Sequence, residues 1–341
     1  MLSQEKVEQI SYQVIKTLYK KFDDFPEDPS GIRNAPFHMA FLKAFRNKLE
    51  EHVTDIPVFI SLSSWFHGLN TSLGQSFFEK VSHILCDGIK REFKELKISQ
   101  SQQTAISDII VDLKNSTHLP NLIRENEIIF RNNLPQDKVI SNFTVDCYFE
   151  ENDKIVCIEI KTVKPNSGVF KNEKDKILTA KAALRNISND KEIFFYLGFP
   201  FDPLSKKLTG SNKNNFLKYS VDFKKFFEQK EFMIADEFWN FLSGDTNTMN
   251  QLLGIINSIA CIEFKEKYEF LNNPSNKSNR KAYIQQLKKW NLFSEILLVS
   301  NEERLLKAIG ENSGLIRKFN QPMFKKEEYN IERLTALIQL L

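Results

Sequence analysis

The chain has 341 residues, 41% of them hydrophobic and 27% charged. It is therefore long enough to bury one large core or two modest ones, and too apolar for a disordered polymer. Its net charge of +3 favours no class of partner, while the scarcity of Gly and Pro (11 each) argues for helices and strands over long loops.

Residues 3–20 predict a helix with Val7, Ile10, Val14 and Leu18 on one face. FDDFPEDPSG at 22–31 predicts a loop, and a second helix follows Pro36 with Phe37, Ala40, Phe41 and Ala44 as its stripe. A third helix is expected over 72–97. There Leu73, Phe77, Val81, Ile84 and Leu85 share one side, and Gln75, Glu79, Cys86 and Lys90 share the other. Glu79 thus points away from the apolar stripe.

The centre changes period. NFTVDCYFE at 142–150 alternates apolar and polar residues as a strand does, and KIVCIEIK at 154–161 is a β-branched apolar run. Between them, Asn152-Asp153 suits a two-residue hairpin turn with positive φ. Residues 174–187 show helical spacing at Ile177, Ala180, Leu184 and Ile187, and EIFFYLGF reads as a further strand. From about residue 222 the pattern is mainly helical. These expectations divide the chain into a helical region over 1–71, an α/β core over 72–245 and a helical region over 246–341.

The hairpin fixes a register. With residue 151 opposite 154, Asp146 falls opposite Glu159, and Lys161 lies two residues farther on the same face. Cys147 falls opposite Ile158 on the other face, so it cannot join Cys157 in a disulfide. Two carboxylates facing each other repel and need a cation or a shared proton between them. A divalent metal with oxygen ligands meets that need, and Mg²⁺ is usually held by one or two carboxylates with waters and phosphate oxygens. Acid-x-Lys triplets are common here, with others starting at Glu92, Glu95, Asp112, Asp222, Glu228 and Glu263. Only the Glu159 triplet sits in an apolar strand with an Asp on its hairpin partner. The plain alternative is a Glu–Lys pair on a solvated strand face.

Charge distribution adds a second signal. Residues 161–185 carry seven basic and two acidic side chains, a local +5 that leaves the rest of the chain near −2. Such a block suits phosphate contact, with Lys171 and Lys174 as candidate DNA-binding residues. Segments 205–219 and 270–294 are also rich in Lys or Arg and free of acids. The four cysteines form no CxxC pair and the five histidines show no ligand spacing, which argues against a structural zinc. No apolar run approaches the ~20 residues of a membrane span, and the N-terminus is too polar for a signal peptide, so a cytoplasmic protein is expected. No Gly-rich phosphate-binding loop is present, so no nucleotide cofactor is expected.

Asp146, twelve intervening residues, then Glu159-Ile160-Lys161 resembles the PD-(D/E)XK nuclease signature, with Val145 where Pro is usual. SLGQSFFEK at 72–80, EIKTVKPNSG at 159–168 and DEFWNFLSG at 236–244 resemble segments of TdeIII-type restriction endonucleases. The resemblance implies an α/β restriction-endonuclease-like core, a mixed central sheet flanked by helices. It implies Mg²⁺-dependent cleavage of double-stranded DNA at a short palindromic site associated with GGNCC, and a homodimer to match the two-fold site. In that scheme Asp146, Glu159 and the Ile160 backbone carbonyl hold the metal, and Lys161 positions the attacking water. Glu79 is carried over as an outer or second-metal carboxylate, and Lys164 and Asn166 as phosphate contacts. A repair or junction-resolving nuclease on the same core, or a DNA-binding protein with a decayed core, are the competing expectations.

Overall fold

A computed structural model describes residues 1–26, 42, 49, 56–131, 135–161, 169–219 and 222–341. The helix expected after Pro36 lies outside them. The chain forms two compact units, one from residues 1–2 and 78–253, the other from 3–77 and 254–341. The helical regions expected at the two ends therefore contribute to one unit.

That second unit opens with α1 (Gln4–Asp23). Ser3 caps it by accepting from the Lys6 N–H, and Lys20 and Lys21 sit in its last turn, where the helix dipole favours cations. Its buried face holds Ile10 and Val14 as expected, together with Glu8, Ser11 and Ile15. α2 (Ile56–Ser72) follows and ends in one π-helical turn, Leu73–Phe77.

The first unit begins with α3 (Phe78–Cys86). The helix expected to run to residue 97 stops here. Asp87 adopts φ 53°, and the Gly88 N–H donates to the His83 carbonyl at 3.1 Å, a left-handed cap that closes the helix. Residues beyond the cap turn back as strand β1 (Ile89–Phe93). A short ribbon of β2 (Lys97–Ile98) and β3 (Lys138–Val139) brackets helices α4 (Gln100–Asn115) and α5 (Leu122–Ile129). The Ser99–Gln102 capping box starts α4. Then come β4 (Phe143–Glu150), β5 (Lys154–Ile160), α6 (Val169–Ile187) and β6 (Glu192–Phe199). Helices α7 (Lys213–Tyr219) and α8 (Phe223–Phe226) lead to β7 (Phe232–Ile234) and α9 (Asp236–Ser243).

The five strands form one sheet in the order β1-β4-β5-β6-β7. β1, β4 and β5 pair antiparallel, whereas β5, β6 and β7 pair parallel. Helices cover both faces. A Cβ on Gly198 would lie 2.6 Å from the Phe238 ring of α9 and 3.0 Å from Ile158, so α9 packs on the Ile158 face. Glu159 points the other way, toward α6, which packs on β6 and on α4. With both faces covered, all of β5 from Ile155 to Ile160 is buried, which explains its unbroken apolar run. Phe170, Phe199, Phe216, Phe223 and Phe232 make an aromatic cluster near β7, with Phe170 and Phe223 stacked at 4.4 Å.

The chain returns to the second unit along α10 (Thr248–Ile259) and continues as α11 (Phe264–Asn272), α12 (Arg280–Lys289), α13 (Phe293–Ser300), α14 (Glu302–Ile309), α15 (Ser313–Phe319) and α16 (Ile331–Ile338). The C-terminal pattern is helical as expected. Tyr283 and Trp290, which interleave the basic segment 270–294, are buried in this unit, while Lys281, Lys288 and Lys289 stay exposed. Buried Arg333 meets Glu295 at 2.6 Å, and Tyr329 donates to the same carboxylate at 2.7 Å.

Candidate active site

The β4–β5 hairpin carries the site. Its register is the one expected: Cys147 faces Ile158, Tyr148 faces Cys157 and Glu150 faces Ile155. The Glu151 N–H donates to the Lys154 carbonyl at 2.9 Å across a two-residue turn. Neither Asn152 nor Asp153 takes positive φ, which corrects the expected turn geometry without moving the register. A 2.9 Å ion pair between Lys154 and Glu151 also bridges the turn.

The ladder of β4 with β5 ends at Cys147 and Ile158. Continued, it would give the Ile160 N–H to the Val145 carbonyl. Instead the Asp146 carboxylate accepts that N–H at 3.0 Å through Oδ2. The cause lies on the other side of β4. Ile89 pairs with Tyr148 and Arg91 with Val145, so Asp146 and Cys147 together oppose the single residue Lys90. That is a β-bulge, and it re-aims the Asp146 side chain into the opening between the strands. His83 of α3 holds the bulge through a 2.7 Å hydrogen bond between its Nε2 and the Asp146 carbonyl. Burial lowers the His83 pKa, so the neutral ring donates to this carbonyl.

Glu159 is 9% exposed and carries two ammonium partners. Lys161 Nζ meets its Oε1 at 3.0 Å, and Lys176 Nζ of α6 meets its Oε2 at 2.9 Å. Lys161 also holds Glu173 Oε1 at 2.8 Å. The other oxygen of Glu173 is buried with no hydrogen-bond partner among the described residues. Glu173 and Lys176 stand three apart on α6, so they share one face of the helix. Lys90 binds both oxygens of Glu79 at 3.1 and 3.0 Å and lies 3.6 Å from Asp146 Oδ1. Asp146, Glu159, Lys90 and Lys176 line one cleft of about 750 Å³, together with Thr144 and Asp175.

Electrostatics follow from this crowding. Burial, and then the nearby charge of Glu159, raise the Asp146 pKa above the ordinary aspartate value, against the pull of the Ile160 N–H. Burial pulls the Lys161 ammonium down, but Glu159 and Glu173 outweigh it and the net shift is upward. Hydrogen bonding to Glu79 likewise raises Lys90.

The sequence-derived candidates separate clearly. Asp146, Glu159 and Lys161 come together, and Glu79 joins them through Lys90. Its expected opposition to the apolar stripe holds, but Glu79 and Lys90 meet because the chain reverses at Asp87–Gly88, not because one helix carries both. Lys164 and Asn166 lie outside the described residues. Lys171 is half-buried in the first turn of α6. Lys174 is a correction: it is fully buried between Glu125 and Glu231, out of reach of any phosphate. Four residues were missed: His83, Lys90, Glu173 and Lys176. Only the i, i+3 spacing of Glu173 and Lys176 inside the basic block hinted at a shared face.

Asp146 and Glu159, converging in a cleft that Asp175 also lines, fit a hard divalent cation that keeps several waters. Among the described residues no group of three or more His, Cys, Asp or Glu side chains is arranged to hold a metal ion by itself, so a cation here would take its remaining ligands from water and phosphate. Burial first, and then the charge of Glu159, raise the Asp146 pKa, and a cation between the two carboxylates would offset the second of these. The donor set therefore fits.

A mixed sheet flanked by helices, with an Asp-Glu-Lys cluster at the splayed end of its central hairpin, defines a nuclease core. Residues 3–260 match the model of the HinfI family of type II restriction endonucleases, and the chain belongs to that family. The family matched is the HinfI one, where the sequence segments pointed to the TdeIII type. The chain is also 40% identical over 361 aligned positions to the type II restriction enzyme MjaII of Methanocaldococcus jannaschii, covering 99% of this chain and 98% of that protein. It is thus a site-specific deoxyribonuclease acting on double-stranded DNA. No described helix is long and apolar enough to cross a membrane.

Proposed function

We propose that this restriction endonuclease cuts a short palindromic DNA site, GGNCC by its TdeIII-type segments, as a Mg²⁺-dependent cytoplasmic homodimer. The observation that carries the reading is the convergence of Asp146, Glu159 and Lys161 at the end of the β4–β5 hairpin. Asp146 and Glu159, with the Ile160 carbonyl, are the groups that would hold Mg²⁺. When bound, the cation supplies Lewis-acid polarisation of the scissile phosphate and acidifies the attacking water.

The chain's own residues do the rest. Lys161 has three N–H donors, of which Glu159 and Glu173 take two. The third is free to orient water toward the phosphorus and to offset negative charge as it builds there. Glu173 keeps the amine in place when Glu159 turns to the cation. His83 and the Ile160 N–H fix Asp146 from its backbone and its side chain, so its carboxylate needs little reorganisation. Glu79 acts on Asp146 at one remove, by positioning Lys90. The intact and converging Asp-Glu-Lys set favours a cutting enzyme over a decayed core.

The test is digestion of a phage DNA of known sequence with Mg²⁺ and with EDTA, followed by sequencing of the fragment ends. Ends at GGNCC, seen only with the metal, support the reading. Ends at another sequence would replace the site, and undiminished cutting in EDTA would remove the metal.

A further inference from the structure

We propose that Lys176 is an exchangeable cation of the active site, which neutralises Glu159 until a divalent metal displaces it and then serves the DNA phosphate. The inference rests on the reading that Asp146 and Glu159 hold that metal.

The two ammonium groups on Glu159 are not equivalent. Lys161 has a second anchor, Glu173 at 2.8 Å. Lys176 has Glu159 as its one ion-pair or hydrogen-bond acceptor among the described residues, at 2.9 Å. Its neighbour Asp175 takes no hydrogen bond or ion pair from it among the described residues; the cation whose charge reaches Asp175 is Lys171. A metal arriving at Glu159 therefore leaves Lys161 held and Lys176 released. Repulsion between a dication and an ammonium on one carboxylate drives that release.

Lys176 has somewhere to go. It lines the same cleft as Asp146 and Glu159, and its side chain is 31% exposed. Its flexible four-carbon stem is rooted on α6, so the amine can sweep across the cleft while the helix stays fixed. A scissile phosphate in that cleft brings the negative charge that Glu159 no longer offers. Lys176 thus opposes metal binding in the free enzyme and stabilises phosphate charge in the DNA complex. A merely structural ion pair would do neither.

The experiment uses the full chain and its Lys176→Met, Lys176→Arg and Asp146→Ala variants. Mn²⁺ binding is measured by calorimetry without DNA, and turnover is measured on plasmid DNA. Lys176→Met is expected to bind Mn²⁺ about fivefold more tightly, as removal of a competing partly exposed ion pair implies. Its kcat is expected to fall on the order of tenfold to a hundredfold. Lys176→Arg, which keeps the charge, is expected to recover most of the turnover and the wild-type Mn²⁺ affinity. Unchanged or weaker Mn²⁺ binding in Lys176→Met overturns the exchange, as does unchanged turnover. Should Lys176→Met fail to fold, Lys176→Gln takes its place under the same two criteria. Mn²⁺ binding that survives Asp146→Ala overturns the underlying metal assignment instead, so the two failures are distinct.

Discussion

Replacing Lys174 by Met tests the structural reading of the basic block most sharply. The sequence pattern makes Lys174 a DNA contact, and on that view its loss weakens binding and leaves the fold alone. In the structure its amine is wholly buried, 2.5 Å from Glu125 and bonded to Glu231, with both acids also buried. Met matches the length of the Lys stem but leaves two carboxylates facing each other without their counter-ion. Breaking a buried pair from one side costs about 3–5 kcal/mol. Lys181 softens this. It is 2% exposed, both acids raise its pKa, and burial lowers it only to about 8, so most of its positive charge survives at neutral pH. The expected loss is therefore near 3 kcal/mol, or about 1 M in the urea midpoint. The sign with pH follows from Glu125, whose carboxyl burial raises above its ordinary 4.5. A raised carboxyl favours the folded state below 4.5, and that contribution disappears as pH rises through the folded value. In Lys174→Met the deficit is thus largest at neutral pH and narrows on acidification. Urea melts of both proteins between pH 5 and 8 measure it. A deficit below about 1 kcal/mol, or one independent of pH, refutes the burial of this lysine as a paired charge.

Three further outcomes are expected. Glu159→Ala and Lys161→Ala each lose on the order of 10²-fold or more in kcat, and because each leaves a largely buried ion-pair partner behind, each also costs on the order of 1–3 kcal/mol; single-turnover cleavage beside a thermal melt reads both, and wild-type turnover in either variant contradicts the assignment. Gly88→Ala destabilises by about 1–3 kcal/mol, since a Cβ there meets Cys86 Sγ at 2.8 Å and the Tyr148 carbonyl at 2.9 Å; an unchanged melting temperature would mean the helix cap is looser than drawn. Lys171→Glu leaves stability unchanged but weakens DNA binding on all sequences and flattens its salt dependence by about one phosphate contact; binding isotherms at several salt concentrations check it.

The aim of Asp146 at the Ile160 N–H comes from the bulge opposite Lys90, beyond the last ladder pair. Sequence alone determined the hairpin, its register and the shared face of Glu159 and Lys161. Those are local consequences of alternation and turn length, and a one-residue slip would have moved every apolar side chain of β4 to the wrong face. It also placed Cys147 and Cys157 on opposite faces; the structure adds that Cys147 lies 3.4 Å from Cys86 and that all four thiols are free. It misread 72–97 as one helix because Glu79 and Lys90, eleven residues or three helical turns apart, share a helix face; a helix would leave them about 16 Å apart along its axis, and only the reversal brings them into contact. Nothing local distinguishes Asp87–Gly88 as a cap from an interior turn until β4 is there to receive β1. Charge type without burial made Lys174 a DNA contact, since a buried lysine and a surface lysine are written alike, and only the packing of α5 and α6 supplies Glu125. Glu173 and Lys176 reach Glu159 for the same reason: α6 lies on the Glu159 face of the sheet. The position of a helix over a sheet depends on contacts distant in sequence, so the second half of the site belongs to the tertiary structure.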